Sequence, residues 1–386
     1  MFRYKCTQCG KEYKRDEVKY LCPDCSKSYE PGMPLKGVLT AEFDYDLIKS
    51  KFNRENPDLN LFSAVEKKFY PGFLYGNTPF HKSERLCGLT GFENLYLKND
   101  TLNPSGSYKD RASFLVVAEA IRTGDEKIVT ASTGNAASSL AAVCASAGKK
   151  ALIFAPESAP AAKLLQMQVY GAEVFKVKGT YDDAFKLSIE YTNDNGGLNR
   201  NAAYHPLTIE GKKTSALEMF VQNNFKPPDA VLIPVGDGVI ISGVYKGFYD
   251  LKMCGLIEKI PELICVQSDN SNAISDFIET GIYRDAANPA TVADSISVKT
   301  PSNAYMARNA VIASGGFAVS VTDKEIMEAQ KTLAATTGIY AEPSSAAVLA
   351  GLLKSKIKLD NKKQIVLLIT GSGLKDTAAT AKYLNG

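Results

Sequence analysis

The sequence predicts an α/β fold in which parallel sheets are covered by helices on both faces. From Leu95 onward, short apolar runs alternate with longer stretches, and the runs include IVTAS, ALIFAP, AVLIPVG, LICVQS and IVLLIT. The intervening stretches, such as ASFLVVAEAIRTG and AASSLAAVCASAG, have the small and apolar residues of buried helices. Strands that are apolar on both faces and alternate with helices are typical of parallel sheets, because crossover helices cover each face. A cysteine-rich segment precedes this region and predicts a small separate module.

Length and composition bound the class of protein. A chain of 386 residues suits two or three domains of ~100–200 residues each. Apolar residues make up 45% of the chain, yet no apolar run reaches the ~18–20 residues of a membrane span, so we expect no membrane association. The first residues, MFRYKCTQCGKEYK, lack the apolar core of a signal peptide, which makes the cytoplasm the expected location. Because the net charge is only +3 without a sustained basic tract, we expect no nucleic-acid partner.

Four of the eight cysteines form the pattern C-x2-C-x12-C-x2-C, namely Cys6, Cys9, Cys22 and Cys25. Two pairs of thiolates at this spacing can occupy the corners of a tetrahedron, the geometry in which Zn²⁺ binds four sulfurs at ~2.3 Å. We predict a structural zinc site, since four cysteines leave no open coordination position. Two disulfides are the alternative, although nothing in the sequence indicates an oxidising compartment. The other four cysteines stand in apolar context and are predicted to be buried core thiols.

Three loops that follow predicted strands carry polar or glycine residues at the edge where parallel sheets bind ligands. The first, residues 132–135, offers hydroxyl, amide and backbone N–H groups to a carboxylate, with an ordinary helix cap as the alternative. The second, GDGVIISG at residues 236–243, allows consecutive N–H groups to converge on a phosphate, although a lone glycine loop is a weak signal. The third begins with Thr370, whose hydroxyl can face a ring nitrogen; a plain turn is the alternative.

Lys109 adds a reactive amine to the polar groups of these three loops. It follows the turn-forming run LNPSGS and precedes a predicted helix. A lysine amine can attack an aldehyde to give a Schiff base, and pyridoxal phosphate supplies the aldehyde, the phosphate and the pyridine nitrogen. Taken alone, Lys109 would be expected to be an exposed lysine paired with Asp110. Together with the three loops it favours pyridoxal phosphate as the cofactor.

Five motifs occur in one order along the chain: NPSGSYKDRAS, ASTGNAAS, PVGDGVIISG, YAEPSSAAVLAG and LLITGSGLKD. In this order they resemble the threonine synthase family of fold type II pyridoxal-phosphate-dependent enzymes, in which a rubredoxin-like zinc ribbon also occurs ahead of the catalytic part. The resemblance implies two parallel-sheet α/β domains with the cofactor in the cleft, a small amino-acid substrate and a homodimer. We expect the zinc ribbon at 1–30, the first part of the large domain at 31–115, the small α/β domain at 116–229 and the second part of the large domain at 230–386.

The same resemblance implies roles for individual residues. Lys109 is implied to be the catalytic base as well as the covalent partner of the cofactor. The implied cofactor-binding residues are Lys109, Asn135, Gly236, Asp237, Gly238, Val239, Ile240 and Thr370. The residues implied to form the substrate pocket are Ser132, Thr133, Gly134, Ala136, His205 and Thr208. A hydroxyl instead of a carboxylate at Thr370 would leave the ring nitrogen largely unprotonated, which suits elimination chemistry.

The segment AAYHPLTIEGKKT, residues 202–214, departs from the usual family pattern N-S-x-N-P-x-R-x-E-G. Thr208 stands at the arginine position, and Ala136 replaces a hydroxyl residue after STGN. Hydrogen bonds to a charged group such as phosphate are worth ~1.5–3 kcal/mol each, so losing several should change substrate selectivity. His205, Lys212 and Lys213 are the candidates to compensate.

These residues predict elimination and addition on a small O-phosphorylated L-amino acid, as when a threonine synthase converts O-phosphohomoserine and water to L-threonine and phosphate. The main alternative is β-replacement on O-phosphoserine with a sulfur nucleophile, as in a cysteate synthase. A dehydratase is a further enzymatic alternative. A metal-dependent binding protein with an inactive catalytic domain is an alternative of another class, against which Lys109, Asn135 and Thr370 argue.

Overall fold

A computed structural model describes residues 2–30, 32–157, 159 and 161–385 of the chain. Helices alternate with strands of mainly parallel sheets, which confirms the predicted fold class. The strands in the described residues are β1 (Phe2–Cys6), β2 (Glu12–Tyr13), β3 (Leu39–Phe43), β4 (Phe80–Lys82), β5 (Asn94–Asn99), β6 (Lys127–Ala131), β7 (Lys150–Pro156), β8 (Glu173–Val177), β9 (Leu198–Asn199), β10 (Ala230–Pro234), β11 (Glu262–Ser268), β12 (Ala318–Val321) and β13 (Gln364–Ile369). The α-helices are α1 (Tyr45–Lys51), α2 (Glu84–Thr90), α3 (Lys109–Thr123), α4 (Asn135–Ser146), α5 (Ala161–Val169), α6 (Tyr181–Asn195), α7 (Leu207–Lys212), α8 (Thr214–Gln222), α9 (Val239–Met253), α10 (Ala273–Thr280), α11 (Ala304–Ala313), α12 (Asp323–Thr337), α13 (Pro343–Lys354) and α14 (Thr377–Asn385).

The chain divides into two compact units, each with its own parallel sheet. The first unit consists of Met1–Gly76 and Asn103–Thr214, and the second of Asn77–Leu102 and Ser215–Gly386. The domain boundaries expected from the sequence stay a prediction. None of the described helices combines the length and the apolar character that crossing a membrane requires.

The parallel sheet of the first unit has the strand order β8-β7-β6-β9. Its core is built from apolar residues of β6 and β7 together with the small and branched residues of α3 and α4. Alanines and serines on α4 allow close helix approach, and Ala137, Leu140 and Ala141 are almost completely buried. The loop after β6 therefore rests on a rigid strand and a buried helix.

The N-terminal cysteine segment contributes β1 and β2 to a three-stranded antiparallel sheet of order β2-β1-β3 within the first unit, and β3 follows the segment. Its loop between the two cysteine pairs contacts the rest of this unit. The Tyr20 hydroxyl accepts a hydrogen bond from Asn199 N at 2.9 Å, and its ring stacks on Tyr204 with centroids 4.5 Å apart. Arg15 forms an ion pair with Glu119 of α3 at 2.7 Å. The ribbon-like segment is thus anchored to α3 and to the end of β9.

The sheet of the second unit has the strand order β12-β11-β10-β13-β5-β4, and only β4 runs antiparallel to its neighbour. All five residues of β10 are buried, as expected for a central strand covered on both faces. Strands β10 and β13 pair directly in parallel, with Leu232 opposite Leu367. The loops that follow these strands, which contain Gly236 and Thr370, therefore leave the same edge of the sheet side by side.

Candidate active site

Lys109 is the first residue of α3 and is partly buried. The turn before it is fixed by hydrogen bonds at both ends. Asn103 Oδ1 accepts a bond from Gly76 N at 3.0 Å, and the Asp110 carboxylate accepts bonds from Ser105 N at 2.8 Å and from Ser105 Oγ. Because Asp110 is fully buried and closes this turn, its carboxylate has a structural task. The arrangement holds the chain on both sides of Lys109 and so fixes the direction of its side chain.

Helix α7 crosses the beginning of α3 at very close range. A methyl group in place of the Gly211 hydrogen would overlap the carbonyl oxygen of Arg111. The Tyr108 hydroxyl donates to Lys212 O at 2.5 Å, and Arg111 Nη1 donates to Thr214 Oγ1 at 2.9 Å. The segment that departs from the family pattern is therefore held against the helix that starts with Lys109.

The loop after β6 leads into the N-terminus of α4. Gly134 is the residue before the helix, no side chain caps it, and Gly134 N donates to Ser132 Oγ at 3.2 Å. Thr133 and Ala136 are partly exposed, whereas Asn135 is buried. An uncapped helix N-terminus attracts an anion through its N–H groups and its dipole. The geometry fits the predicted role of residues 132–134 in binding a carboxylate.

Helices α3 and α4 meet near their first turns. Ser139 Oγ donates to Ser113 Oγ at 2.8 Å, and both serines are fully buried. Each serine lies four residues after the first residue of its helix, which corresponds to about 6 Å along the axis. Lys109 and Asn135 are therefore both within one helical turn of the same contact. The first unit brings Lys109 close to residues 132–135, the loop predicted to bind a carboxylate and called here the carboxylate loop.

Thr208 and Lys213 have local partners in the first unit. The Thr208 hydroxyl donates to the carbonyl oxygens of Ala202 and His205, the latter at 2.8 Å. Lys213 forms an ion pair with Glu210 at 2.7 Å, and both side chains are almost fully buried. Thr208 thus closes a turn, and the positive charge of Lys213 is already neutralised by a carboxylate.

His205 is buried and neutral. Its Nδ1 accepts a hydrogen bond from Leu207 N at 3.1 Å, and its ring lies edge-on to Tyr20 with centroids 5.6 Å apart. Burial lowers the pKa of His205 to about 3 because the charged imidazolium would lose its hydration. At neutral pH this residue contributes no positive charge to a phosphate.

In the second unit, the glycine loop after β10 forms a narrow backbone cradle. Gly238 has φ +83°, a left-handed conformation that glycine adopts without strain. A methyl group at Gly236 would lie 2.9 Å from Ile296 Cα, and one at Gly238 would lie 2.7 Å from Ala307 Cβ. Among the described residues, no hydrogen-bond acceptor is in place for the backbone N–H groups of residues 236–240. Consecutive unpaired N–H groups at the start of α9 fit a phosphate group.

The surroundings of this cradle also suit an anion. The carboxylate of Asp237 is directed to Ser302 N at 3.0 Å, and Asp237 O accepts a bond from Asn303 N at 3.0 Å. The acidic side chain is thus used to hold the neighbouring loop. Ser302 Oγ is buried and has no hydrogen-bond partner among the described residues. A buried hydroxyl without a partner beside an open set of N–H groups is consistent with a ligand that accepts hydrogen bonds.

Thr370 directly follows β13 and is buried at the same sheet edge. Its Oγ1 lies 2.9 Å from Ser345 Oγ, and Ser345 Oγ also accepts bonds from Thr370 N at 2.9 Å and Gly371 N at 2.7 Å. Ser345 thus holds a predicted site residue, although the sequence motifs alone did not indicate this contact. The sequence feature that could have indicated Ser345 is the E-P-S-S start of α13, because polar residues in the first turn of a helix can face neighbouring loops.

The four N-terminal cysteines converge in the first unit. Cys6 and Cys25 have their sulfurs 3.8 Å apart, as do Cys9 and Cys22, and all four sulfurs lie within 4.8 Å of one another. A tetrahedron with metal–sulfur bonds of ~2.3 Å has edges of about 3.8 Å. A disulfide would require ~2.05 Å, and all four cysteines are free thiols. The donor set therefore fits a tetrahedral metal ion.

The predicted site residues are distributed over both units of the chain. The first unit contains the four cysteines as one group, and near the contact of α3 and α4 it contains Lys109 and residues 132–136. The second unit contains residues 236–240 and Thr370 at one sheet edge.

Comparisons with known proteins identify the family of this chain. Residues 72–371 match the family described as pyridoxal-phosphate dependent enzyme. The chain is therefore an enzyme of the pyridoxal-phosphate-dependent class. It is 36% identical over 98% of its length to a threonine synthase of Methanocaldococcus jannaschii, of which the match covers 94%. It is also 36% identical to a threonine synthase of Methanosarcina acetivorans, with 97% of this chain and 93% of that protein covered. The chain belongs to the threonine synthase family.

Solved structures show the same fold. A threonine deaminase from T.th. has a TM-score of 0.67 at 26% identity, covering 77% of this chain and 92% of that one. A threonine deaminase from Solanum lycopersicum has a TM-score of 0.70 at 23% identity, covering 83% of this chain and 90% of that one. The described sheets and helices are thus those of fold type II pyridoxal-phosphate enzymes.

Proposed function

We propose that this protein is a threonine synthase, which converts O-phosphohomoserine and water to L-threonine and phosphate. The observation that carries the proposal is the 36% identity to two threonine synthases over almost the whole chain. The residues of the candidate site support the same chemistry, because they provide a lysine at a helix start, a carboxylate site and a phosphate cradle.

Pyridoxal phosphate, when bound, supplies an electron sink that makes protons next to the substrate amine acidic. We propose that Lys109 is its covalent partner and that residues 236–240 hold its phosphate through backbone N–H groups. Asn135 is proposed to bind the O3′ oxygen, and Thr370 to donate its hydroxyl to the ring nitrogen. Ser345, which fixes the position of Thr370 Oγ1, would set the direction of that hydrogen bond.

The chain's own groups then have distinct tasks. Residues 132–134 at the start of α4 bind the substrate α-carboxylate, because the helix dipole and the N–H groups favour a negative charge there. The Lys109 amine would remove the α-proton of the substrate and carry protons between neighbouring carbons. Asp110 takes no part in proton transfer, since its carboxylate is held by Ser105.

A second candidate function is β-replacement on O-phosphoserine with a sulfur nucleophile, as in a cysteate synthase. The observation in its favour is Thr208, which stands at the position of the usual arginine and hydrogen-bonds carbonyl groups instead. Neither neutral His205 nor the ion-paired Lys213 supplies the missing charge. Lys212, the third candidate from the sequence, is buried. If O-phosphohomoserine is the substrate, its phosphate must therefore be bound by Lys212 or by a residue outside this segment.

Two assays on purified holoenzyme separate these functions. A threonine synthase should release phosphate from O-phosphohomoserine and accumulate threonine without any added nucleophile. Consumption of O-phosphoserine only when sulfite or sulfide is supplied would support the second candidate instead. In either case Lys109→Ala should abolish turnover and the visible absorbance band of the lysine-bound cofactor.

Further parts of the proposal concern the whole protein. We propose that the four clustered cysteines bind one structural Zn²⁺, because their sulfur spacing matches a tetrahedral site. A homodimer, a cytoplasmic location and the domain boundaries at 1–30, 31–115, 116–229 and 230–386 are retained as expectations from the sequence. Gel filtration with light scattering tests the dimer, and limited proteolysis tests the boundaries.

A further inference from the structure

Arg200 is a buried cation to which no carboxylate in the described part of the chain is bonded. It directly follows β9 in the first unit, and only 2% of its surface is exposed. Its Nε donates to Ser113 Oγ at 3.3 Å, a long hydrogen bond to a neutral group. Its Nη2 is buried and has no hydrogen-bond partner among the described residues, and none of their carboxylates forms an ion pair with it.

Such a guanidinium is unusual on energetic grounds. Buried charges in proteins are normally paired and hydrogen-bonded, because the loss of hydration is large. Burial lowers the pKa of Arg200 to about 10, with nearby Asp110 acting in the opposite direction, so the group still carries its charge at neutral pH. The Asp110 carboxylate is held by Ser105 and does not hydrogen-bond Arg200. The arginine therefore keeps the capacity for an anionic ligand.

Arg200 also lies at the edge of the sheet where ligands bind in α/β folds. Strand β9 pairs in parallel with β6, Arg200 N donates to Val129 O at 2.8 Å, and Asn201 Oδ1 accepts from Ala131 N at 2.7 Å. This places Arg200 beside the strand end that leads into the carboxylate loop. Its partner Ser113 lies one helical turn from Lys109 and is bonded to Ser139 of α4.

We propose that Arg200 binds the phosphate leaving group of the substrate, in place of the arginine that is missing at Thr208. This inference rests on the proposed threonine synthase function and identifies the residue that selects a phosphorylated substrate. We assign phosphate rather than the α-carboxylate to Arg200, because the uncapped start of α4 can already bind the α-carboxylate. A guanidinium can also make two parallel hydrogen bonds to phosphate oxygens, which suits a dianionic group.

The test uses holoenzyme with Arg200→Met, which keeps side-chain volume but removes the charge, and Arg85→Gln as a control at an exposed arginine. Binding of inorganic phosphate is measured by calorimetry, and binding of O-phosphohomoserine and O-acetylhomoserine by the change in cofactor absorbance. Arg200→Met should weaken inorganic phosphate and O-phosphohomoserine by about 10- to 100-fold. It should leave O-acetylhomoserine unchanged, since that compound has the same α-carboxylate and an uncharged leaving group.

Thermal denaturation separates a ligand from a structural counter-ion. If Arg200 is a ligand-binding residue, the Arg200→Met holoenzyme should melt at the same temperature as wild-type holoenzyme or at a higher one, because the variant lacks a buried charge. A lower melting temperature with phosphate affinity retained would show that Arg200 balances Asp110, and equal weakening of both amino acids would assign it to the α-carboxylate. Either result overturns the proposal.

A second variant covers the case in which Arg200→Met does not fold. Arg200→Lys keeps the charge but cannot form two parallel bonds, so inorganic phosphate should bind several-fold more weakly, and unchanged affinity would contradict the proposal. Failure of the proposed function is a separate outcome. In that case wild-type holoenzyme releases no phosphate from O-phosphohomoserine, yet its affinity for inorganic phosphate still reports on Arg200.

Discussion

Substitution of Gly238 by alanine tests the phosphate cradle most directly. Gly238 has φ +83°, where a side chain costs ~1–2 kcal/mol, and its new methyl group would lie 2.7 Å from Ala307 Cβ and 3.1 Å from Asn303 O. Overpacking of this kind typically costs ~1–3 kcal/mol. We therefore expect the free energy of unfolding to fall by about 2–5 kcal/mol in total.

The same substitution should weaken cofactor binding. Relief of the contact with Ala307 requires a shift of the loop. This shift would displace the N–H groups of residues 236–240 from the positions in which we propose that they bind phosphate. Loss of one hydrogen bond to a charged phosphate is worth ~1.5–3 kcal/mol, or about 10- to 150-fold in the dissociation constant. Titration of the apoenzyme with pyridoxal phosphate, followed by absorbance, measures this constant, and thermal denaturation of the apoenzyme measures stability.

Gly88→Ala is the matched control in the same unit. Gly88 lies within α2, and a methyl group there would meet no atom within 4 Å. Alanine is favoured over glycine in a helix by ~0.5–1 kcal/mol, so this variant should be as stable as the wild type or slightly more stable. Its cofactor affinity should not change. Wild-type stability and cofactor affinity in Gly238→Ala would refute the assignment of residues 236–240 as the phosphate cradle.

Three further substitutions test other parts of the molecule. Ser345→Ala removes the group that bonds Thr370 Oγ1 and two backbone N–H groups, so stability should fall by about 2–4 kcal/mol and the cofactor absorbance should shift. Cys6→Ser combined with Cys9→Ser should reduce bound zinc from about one per chain to none, as measured by elemental analysis. Burial alone raises the pKa of Glu119, but Arg122 and Arg15 outweigh burial and hold that pKa below its usual value. Glu119→Gln should therefore reduce the amount of stability that the protein loses between neutral and acidic pH. Stability from this carboxylate is present above its unfolded pKa of ~4.3 and is lost as pH falls through the lower folded value, which melting curves between pH 7 and 3 can follow.

Each of these has a control or a contrary result. Thr332→Ala removes an exposed hydroxyl of the second unit and should leave stability and the cofactor spectrum unchanged, and equal effects of Ser345→Ala and Thr332→Ala would contradict the role of Ser345. Cys87→Ser should retain full zinc, and retained zinc in the double cysteine variant would exclude the site. If Glu119→Gln shows the wild-type loss of stability in acid, the ion pairs with Arg15 and Arg122 do not contribute to it.

The sequence predicted the structure best where a feature depends on residues that are close together in the chain. Alternation of apolar runs and helical stretches predicted β6, β7, β10, β11 and β13, because a buried parallel strand must be apolar on both faces. The cysteine spacing predicted the cluster of four sulfurs, since a C-x2-C turn holds its own pair of donors together.

Individual contacts were harder to predict because they join residues far apart in the chain. Ser345 holds Thr370 across 25 residues, and Arg200 reaches Ser113 across 87 residues. No local pattern indicates which serine faces which strand end, because any polar residue near a helix start could do so. For His205 the sequence allowed a role in phosphate binding, whereas burial in the folded chain leaves it uncharged.

The sequence by itself therefore determined the fold class, the alternation of buried strands and helices from Leu95 onward, the family and the cluster of four cysteines. These properties depend on hydrophobic periodicity and on short runs of residues that act together. Only the tertiary structure decided which charges are neutralised and which are not. Lys213 is neutralised by Glu210, whereas Arg200 lacks such a partner among the described residues, because the pairing of buried charges depends on which elements pack together.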